Sequence, residues 1–309
     1  MSKRILSLLP AATEIVYFLG GEKDLVGVSG DCDYPKIVKK LPQITTSFLP
    51  ANITSGEIDS EVRKRRHQGQ SVFHIDEKLL TRLHPDVILT QELCSVCAIA
   101  YTQVKKAVKI LSGPHVLVSL EPESVEDVYA NILTVAAYTN AHKEAEIQIQ
   151  GLKNRIHTLR SSLAKRDSKR KPSVLVIEWL DPLMVAGHWV PQMITYAGGR
   201  NLITHVGEKS TVIDWEDVIR LNPDYLIISP CGFTIERTKK ELDLITRRKN
   251  YSKLSSYKRK GIVVVDGNAY LTRPGPRLID GIEIFSEIFY PSLFARKHNK
   301  NAWQVAGIL

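Results

Sequence analysis

Cys94 and Cys97 form a CxxC, a spacing that lets two sulfurs reach one metal ion from a single turn. Cys32 follows an early apolar run and Cys231 a late one, so four thiols fall in loops expected after strands. If all four converge, the set suits Zn²⁺ or an iron–sulfur cluster. The plainer alternative is buried apolar cysteines beside a coincidental CxxC. Thioredoxin-like redox chemistry needs the motif to open a helix whose dipole lowers a thiol pKa, and Ala98 onward is a candidate for that helix. Four cysteines in 309 residues are too few for a secreted disulfide scaffold, which leaves metal binding, a redox switch or catalysis.

Other side chains could work beside them. Glu178 and Asp181 bracket Trp179, where a carboxylate pair could move protons; a salt bridge to Arg273 or Arg277 is the structural alternative, favoured for Asp181. His188, in a Gly-His-Trp turn, could ligate a metal, donate a proton or simply bond the backbone. Tyr270 completes the candidates for proton transfer with Glu178 and His188. Trp179, Trp189 and Tyr270 could wall a flat macrocycle. Arg273 and Arg277, in a turn-rich segment from Asp266, present planar forks for a carboxylate or phosphate. Gly20-Gly21 and Gly198-Gly199 end helices rather than cradle nucleotides, and His84 and His157 read as capping or surface residues.

The elements expected to position these groups alternate between strand and helix, the pattern of mostly parallel sheets. Strands are expected at Arg4–Leu8, Leu25–Ser29, Asp86–Thr90 and His115–Ser119, then at Ser173–Glu178, Leu183–Ala186, Asp224–Ser229 and Ile262–Asp266. Between the two groups runs a long helical pattern entered at Ser124, broken near Asn140, and resumed with Ile147, Leu152, Ile156, Leu159 and Leu163 on one face to about Arg166. At ~1.5 Å per residue the ~26 residues of that second segment would span ~39 Å, long enough to join two lobes. The expected division is residues 1–122, a helical strut over 123–171, and residues 172–309. An internal echo supports it: His84-Pro85-Asp86 precedes one apolar strand and Asn222-Pro223-Asp224 another, each followed shortly by cysteine. Loops at the carboxyl ends of parallel strands form ligand crevices, so the thiols are expected in a cleft between the lobes.

An apolar content of 43% can fill two cores of ordinary size. The net charge of +9 gathers in Arg63-Lys64-Arg65-Arg66, in Lys153 to Lys171, and in Arg237 to Lys260. Without aromatic interleaving or a nucleic-acid motif these runs read as solvated helix faces and loops, and no nucleic-acid partner is expected. No stretch is apolar for long enough to span a bilayer. The opening residues have a basic start and an apolar run, but Thr13 and Glu14 interrupt it without a cleavage motif, so strand then helix and a cytoplasmic location are expected.

Several motifs together resemble the iron-complex and cobalamin substrate-binding proteins of ABC importers, the helical-backbone class III: Arg4-Ile5-Leu6-Ser7-Leu8-Leu9-Pro10-Ala11-Ala12-Thr13-Glu14-Ile15, Cys32-Asp33-Tyr34-Pro35, Leu83-His84-Pro85-Asp86, Tyr196-Ala197-Gly198-Gly199 and Trp215-Glu216. A cysteine-containing, cobalamin-binding-like subgroup is similar through Gln91 to Cys97, Glu178 to Pro182, Gly187 to Pro191 and Asp266 to Tyr270. The resemblance implies two α/β lobes with mostly parallel sheets joined by a long backbone helix, holding a corrinoid or related metal complex in the interlobe cleft. A cytoplasmic metalloenzyme or redox protein using the cysteine site is the alternative. A third possibility is an exported, importer-associated protein that docks a membrane permease through acids such as Glu57 and Glu61 in one lobe and Glu236 or Glu241 in the other.

Overall fold

The structure, a computed structural model, describes residues 3–50, 52–91, 101–166 and 170–306. It divides into two compact α/β units, one of Met1–Ile53, Glu57–Pro122 and Glu126–Gln150, the other of Thr54–Gly56, Glu123–Val125 and Gly151–Leu309.

In the first unit the order is β1 (Ile5–Ser7), α1 (Pro10–Phe18), β2 (Leu25–Val28), β3 (Thr45–Ser47), α2 (Ser55–His67), β4 (Phe73–Ile75), α3 (Glu77–Leu83), β5 (Val87–Thr90), α4 (Tyr101–Ala107) and β6 (Val116–Ser119). The chain continues through α5 (Val125–Thr139) into α6 (His142–Ala164). The four expected strands form one all-parallel sheet, β2-β1-β5-β6. β1 lies between β2 and β5, and α1 starts on Pro10, whose fixed φ suits a first helical turn. Residues 5–18 are therefore part of the fold. Gly20, at φ +72°, ends the α1 segment as expected of the glycine pair.

The echo is structural. α3 ends on His84 in the left-handed region (φ 43°), and the next turn brings the Asp86 carboxylate to the Arg4 N–H at 2.8 Å. His84 thus caps, as expected. In the second unit Asn222, also at φ 43°, ends a helix, and Asp224 takes the Ser173 N–H at 2.9 Å. In both units the aspartate pins the start of the neighbouring strand.

That second unit holds β7 (Ser173–Trp179), β8 (Met184–Val185), α7 (Val190–Tyr196), β9 (Arg200–Asn201), β10 (Thr211–Val212), α8 (Trp215–Leu221), β11 (Tyr225–Ile228), α9 (Ile235–Lys239), α10 (Asp243–Thr246), α11 (Ser255–Lys258), β12 (Ile262–Val265), α12 (Gly267–Tyr270), α13 (Leu278–Phe289) and β13 (Trp303–Val305). The sheet runs β10-β8-β7-β11-β12-β13, parallel at its centre and antiparallel toward both edges, with β9 also on β7. β7, β11 and β12 read as near-continuous apolar runs because both faces are covered: Leu175, Ile177, Leu226, Ile228, Ile262 and Val264 pack in one cluster, while Val174, Val176, Ile227 and Val263 are buried on the opposite face. Each such side chain withdrawn from water contributes roughly 1.5–3 kcal/mol before entropy is charged against it.

One helical expectation changes. The break at Asn140 is real (φ 54°), but the buried stripe of α6 is Ala145, Ile149, Leu152, Ile156 and Leu159, and Ile147 is 58% exposed. Ile147 and Leu152 are five positions apart, roughly 140° around the helix, which puts Ile147 outside the stripe of Ile149, Leu152 and Ile156. The division between units falls inside α6, between Gln150 and Gly151, so both units take part of this helix. No helix among the described residues is long and apolar enough to cross a membrane.

Candidate functional site

The carboxyl ends of β7, β11 and β12 lie side by side, and the loops leaving them are stitched together. The Ser229 N–H bonds the Ile177 carbonyl at 2.8 Å, and the Cys231 N–H bonds that of Glu178 at 2.9 Å, which places the thiol-bearing loop against the Glu178–Trp179 tip. From β12, the Asn268 N–H reaches the Phe233 carbonyl at 3.2 Å. A Cβ on Gly267 would stand 2.2 Å from the Pro230 carbonyl oxygen, so only glycine permits this approach of two loops.

On this edge the Trp179 and Phe233 rings pack at 5.3 Å with a 56° tilt, and the Arg237 guanidinium lies 4.3 Å over Phe233. Arg273 is buried and donates to the Asn268 side-chain oxygen at 2.7 Å. Asp266 caps α12 by accepting the Ala269 N–H at 2.9 Å. Burial pushes its carboxyl up to about 6, against the opposing pull of that bond and of Arg277 and Arg273; Glu236 adds a small upward push. Tyr270 turns its ring to His298 at 6.2 Å and to the Arg277 guanidinium at 5.9 Å. The edge thus offers aromatic faces, an amide, a thiol and a carboxylate that titrates near neutrality.

His188 and Trp189 belong to a different turn of the same unit, entered from β8. His188 adopts φ 52°, with its N–H on the Glu208 carbonyl at 2.6 Å and its carbonyl taking the Gly207 N–H at 3.0 Å. Its Nδ1 is buried without a hydrogen-bond partner. Burial lowers its pKa, opposed by the Glu123 carboxylate and assisted by Lys209. Trp189 stacks near His188 at 5.7 Å, is 6% exposed and donates from Nε1 to the Leu271 carbonyl at 2.8 Å. Trp179, Trp189 and Tyr270 therefore pack against three different rings. Asp181 packs against Gly56, where an added Cβ would meet its Oδ2 at 2.5 Å.

The first unit carries hydroxyls at the corresponding strand ends. Ser7, Thr13, Ser29, Thr45 and Thr90 are all buried. The Thr13 hydroxyl donates to Ser7 Oγ at 2.8 Å and lies 3.1 Å from Cys32 Sγ, while Thr45 donates to Ser29 at 3.1 Å. Thr90 Oγ1 is buried with no hydrogen-bond partner. Cys94 and Cys97 lie outside the described residues. Cys32 is in the first unit and Cys231 in the second, and neither belongs to a cluster of three ligating groups among the described residues. One such cluster exists, Asp280, Glu283 and His298, but Arg155 donates to both acids, so a guanidinium already supplies the positive charge there.

Glu241 corrects an expectation: it is 5% exposed, accepts the Ser55 N–H and hydroxyl at 2.8 and 2.6 Å, and pairs with Arg237, so it is no surface acid. Sequence reasoning also passed over Phe233, Asn268 and the hydroxyls closing the strands. The last had a visible signal for four of them, since Ser29, Thr90, Ser119 and Ser229 each stand at the end of an apolar run, whereas Ser7 interrupts one.

The chain was compared with known proteins. It is 26% identical over 296 residues to the uncharacterized ABC transporter substrate-binding lipoprotein YvrC of Bacillus subtilis (strain 168), covering 94% of this chain and 81% of that protein. It is 24% identical over 230 residues to a vitamin B12-binding protein of Vibrio vulnificus (strain YJ016), covering 74% and 71%. A periplasmic heme-binding protein from Pseudomonas aeruginosa superimposes with a TM-score of 0.72 at 21% identity over 94% of each chain, a likeness of fold. Residues 5–269 match the family described as "Periplasmic binding protein", which takes in both strand-end edges, and the chain belongs to that family.

Proposed function

We propose that the chain is the substrate-binding component of an ABC importer and captures a corrinoid or a closely related flat metal complex, with the strand-end edge of its second unit facing the ligand. The observation that carries this reading is the Trp179–Phe233 ring pair beside the Asn268–Arg273 pair. Rings of this kind receive the face of a macrocycle, and the Asn268 amide, held in place by Arg273, together with the Arg277 guanidinium suits the amide and phosphate groups at a corrinoid's rim. Relatives named for vitamin B12 and a fold neighbour named for heme support the same ligand class. Trp179, Tyr270, His188 and Arg277 are the proposed contacts; Trp189 and Arg273, both buried, hold the loops that present them.

The proposal keeps the cysteine-containing subgroup and takes Glu57 and Glu236, both exposed, as the docking acids for a permease; the cytoplasmic location expected from the opening residues belongs to a second reading, an intracellular carrier of the same ligand that docks no permease. Anaerobic purification followed by an absorption spectrum, elemental analysis and calorimetric titration with cyanocobalamin and with hemin tests the ligand. Saturable cobalamin binding supports the reading. A protein that binds hemin and ignores cobalamin reassigns the ligand, and one that ignores both removes the proposal. Cell fractionation tests the location: recovery in the cytosol makes the chain an intracellular carrier, and recovery outside the membrane makes it the importer's receptor.

A further inference from the structure

The fourteen residues from Arg247 to Lys260 carry seven basic side chains and no acid. In sequence they read as a solvated run, but the fold makes a fixed surface of them. After α10 a 3₁₀ turn over Tyr251–Lys253 leads into α11, and Leu254 between the two is 1% exposed, packed in the core cluster with Ile245 and Trp215. The Trp215 Nε1–H bonds the Lys249 carbonyl at 2.8 Å, the Ser255 N–H takes the Asn222 side-chain oxygen at 2.7 Å, and the Gly261 N–H takes the Ser256 carbonyl at 2.7 Å. The backbone is thus pinned at both ends and in the middle, which lowers the ordering cost of any contact its side chains make.

The surface shows charge with a ring set into it. Lys249, Lys253, Lys258 and Lys260 are exposed and enter no ion pair among the described residues. The three arginines are engaged: Arg247 meets Asp243 at 3.5 Å, Arg259 meets Asp224 at 3.7 Å, and Arg248 bonds the Leu244 carbonyl at 2.8 Å and lies 5.6 Å over the Trp215 ring. Four lysine charges are left without a counter-charge. Tyr257 stands among them, 49% exposed, edge-on to Tyr251 at 5.2 Å, and Tyr251 in turn packs on the core. This surface lies at the amino ends of β11 and β12, since Asn222 and Gly261 shortly precede those strands, whereas the ligand edge lies at their carboxyl ends.

We infer that the Lys249–Lys260 surface docks the chain on an anionic lipid bilayer. The choice of a bilayer rests in part on the importer reading above, which sets the chain to work beside a membrane, and in part on the residue types. Lysine is a point charge on a flexible stem and suits a diffuse negative surface; phosphates at fixed places call for guanidinium forks, and the forks here are engaged. A tyrosine on such a surface sets its ring at headgroup depth with the phenol in water. Docking through the amino-end edge leaves the carboxyl-end edge uncovered for the ligand.

The test is cosedimentation of the full chain with vesicles of phosphatidylglycerol mixed into phosphatidylcholine and with vesicles of phosphatidylcholine alone, at low and at physiological salt. Binding is expected on the anionic vesicles only, and it should weaken as salt rises. Each lysine neutralised is expected to weaken it about fivefold, so Lys253→Gln/Lys258→Gln/Lys260→Gln should weaken it roughly a hundredfold. Tyr257→Ser should weaken binding without changing its salt dependence. Thermal midpoints of these variants should stay those of the parent. Lys36→Gln/Lys39→Gln/Lys40→Gln removes the same charge from exposed positions of the other unit and should bind as the parent does. Absence of vesicle binding, an unchanged affinity in the first triple variant, or an equal loss in the second would each overturn the assignment. Tighter binding to a single-stranded oligothymidine than to the vesicles would do so too and would move the partner to nucleic acid. Cobalamin titration of the same preparations reads the ligand proposal separately: vesicle binding lost with cobalamin binding intact removes this inference alone.

Discussion

Asp224 Oδ2 accepts both the backbone N–H and the hydroxyl of Ser173, at 2.9 and 3.0 Å, and Ser173 Oγ in turn takes the Asp224 N–H at 3.0 Å. This closed exchange fastens the starts of two neighbouring parallel strands, β7 and β11. Burial alone would raise the Asp224 pKa, but the bonds from Ser173 and the Arg170 charge outweigh it and hold the carboxyl below its ordinary value. Its stabilising effect is therefore complete above the unfolded pKa and disappears as pH falls through the lower folded one. Asp224→Asn is expected to cost about 2–4 kcal/mol at pH 7, since it leaves buried donors and two arginines without their anion. Ser173→Ala should cost about 1 kcal/mol. Urea melts at pH 7 and pH 3 check both: a variant as stable as the parent at pH 7 would show the exchange to be dispensable.

Asp266 carries the opposite sign. Its folded pKa of about 6 stands above the ordinary 3.8, so the protonated form favours folding. That contribution is full below pH 3.8 and is lost as pH rises through about 6. Ionisation thus removes up to about 3 kcal/mol, a figure set by the size of the shift. Asp266→Asn keeps an oxygen for the Ala269 N–H and cannot ionise, so it is expected to be more stable than the parent at pH 7.5 and level with it at pH 4. Parallel thermal melts at the two pH values read the difference directly.

How much of this was legible depended on range. The Pro-Asp turns before β5 and β11 announce themselves, because helix end, proline, aspartate and apolar run are contiguous in the chain. Even so, only the structure shows that Asp86 and Asp224 both grip a strand start, 82 and 51 residues away respectively. Arg200–Asn201 and Thr211–Val212 escaped as strands because two residues carry no periodicity. Trp179 was visible as a candidate, but its partner Phe233 was not, since their contact depends on the register of β7 with β11.

The two tryptophans near the sequence-expected site should separate in their phenotypes. Trp189 is a core residue whose Nε1–H is committed to the Leu271 carbonyl, so Trp189→Phe is expected to cost about 2–3 kcal/mol through the lost bond and the cavity left behind. Trp179 is only half-buried at the strand tip, so Trp179→Ala should lower stability far less while weakening cobalamin about 10–100-fold. Denaturation and titration on the same preparations decide it. Equal affinity in Trp179→Ala and the parent would remove the ring pair from the ligand site.

Gly267 tests whether the edge depends on loop contact. An alanine Cβ would meet the Pro230 carbonyl oxygen at 2.2 Å, and backbone rather than a flexible side chain must yield. Gly267→Ala is expected to lose about 2–3 kcal/mol. Gly151, with open space around its Cβ position inside α6, is the control: Gly151→Ala should gain about 1 kcal/mol. Thermal midpoints of opposite sign are the expected outcome, and a neutral Gly267→Ala would mean the two loops separate without penalty.

His188 bears on the metal of the proposed ligand. Its left-handed backbone and buried, unpartnered Nδ1 are both costs, of the kind found where a side chain is held for binding. Because burial lowers its pKa, the imidazole is neutral at pH 7 and keeps a lone pair available. If the ring's other nitrogen, Nε2, meets the metal of the bound complex, protons compete with the metal only below the ordinary histidine pKa, and the absorption shift on binding should fade as pH drops from 7 to 5. His188→Gly removes the ligand and also relieves the positive φ. It is therefore expected to be at least as stable as the parent yet to bind cobalamin without the shift. A variant that keeps both the shift and its pH dependence would assign His188 a purely structural part in the Gly187–Trp189 turn.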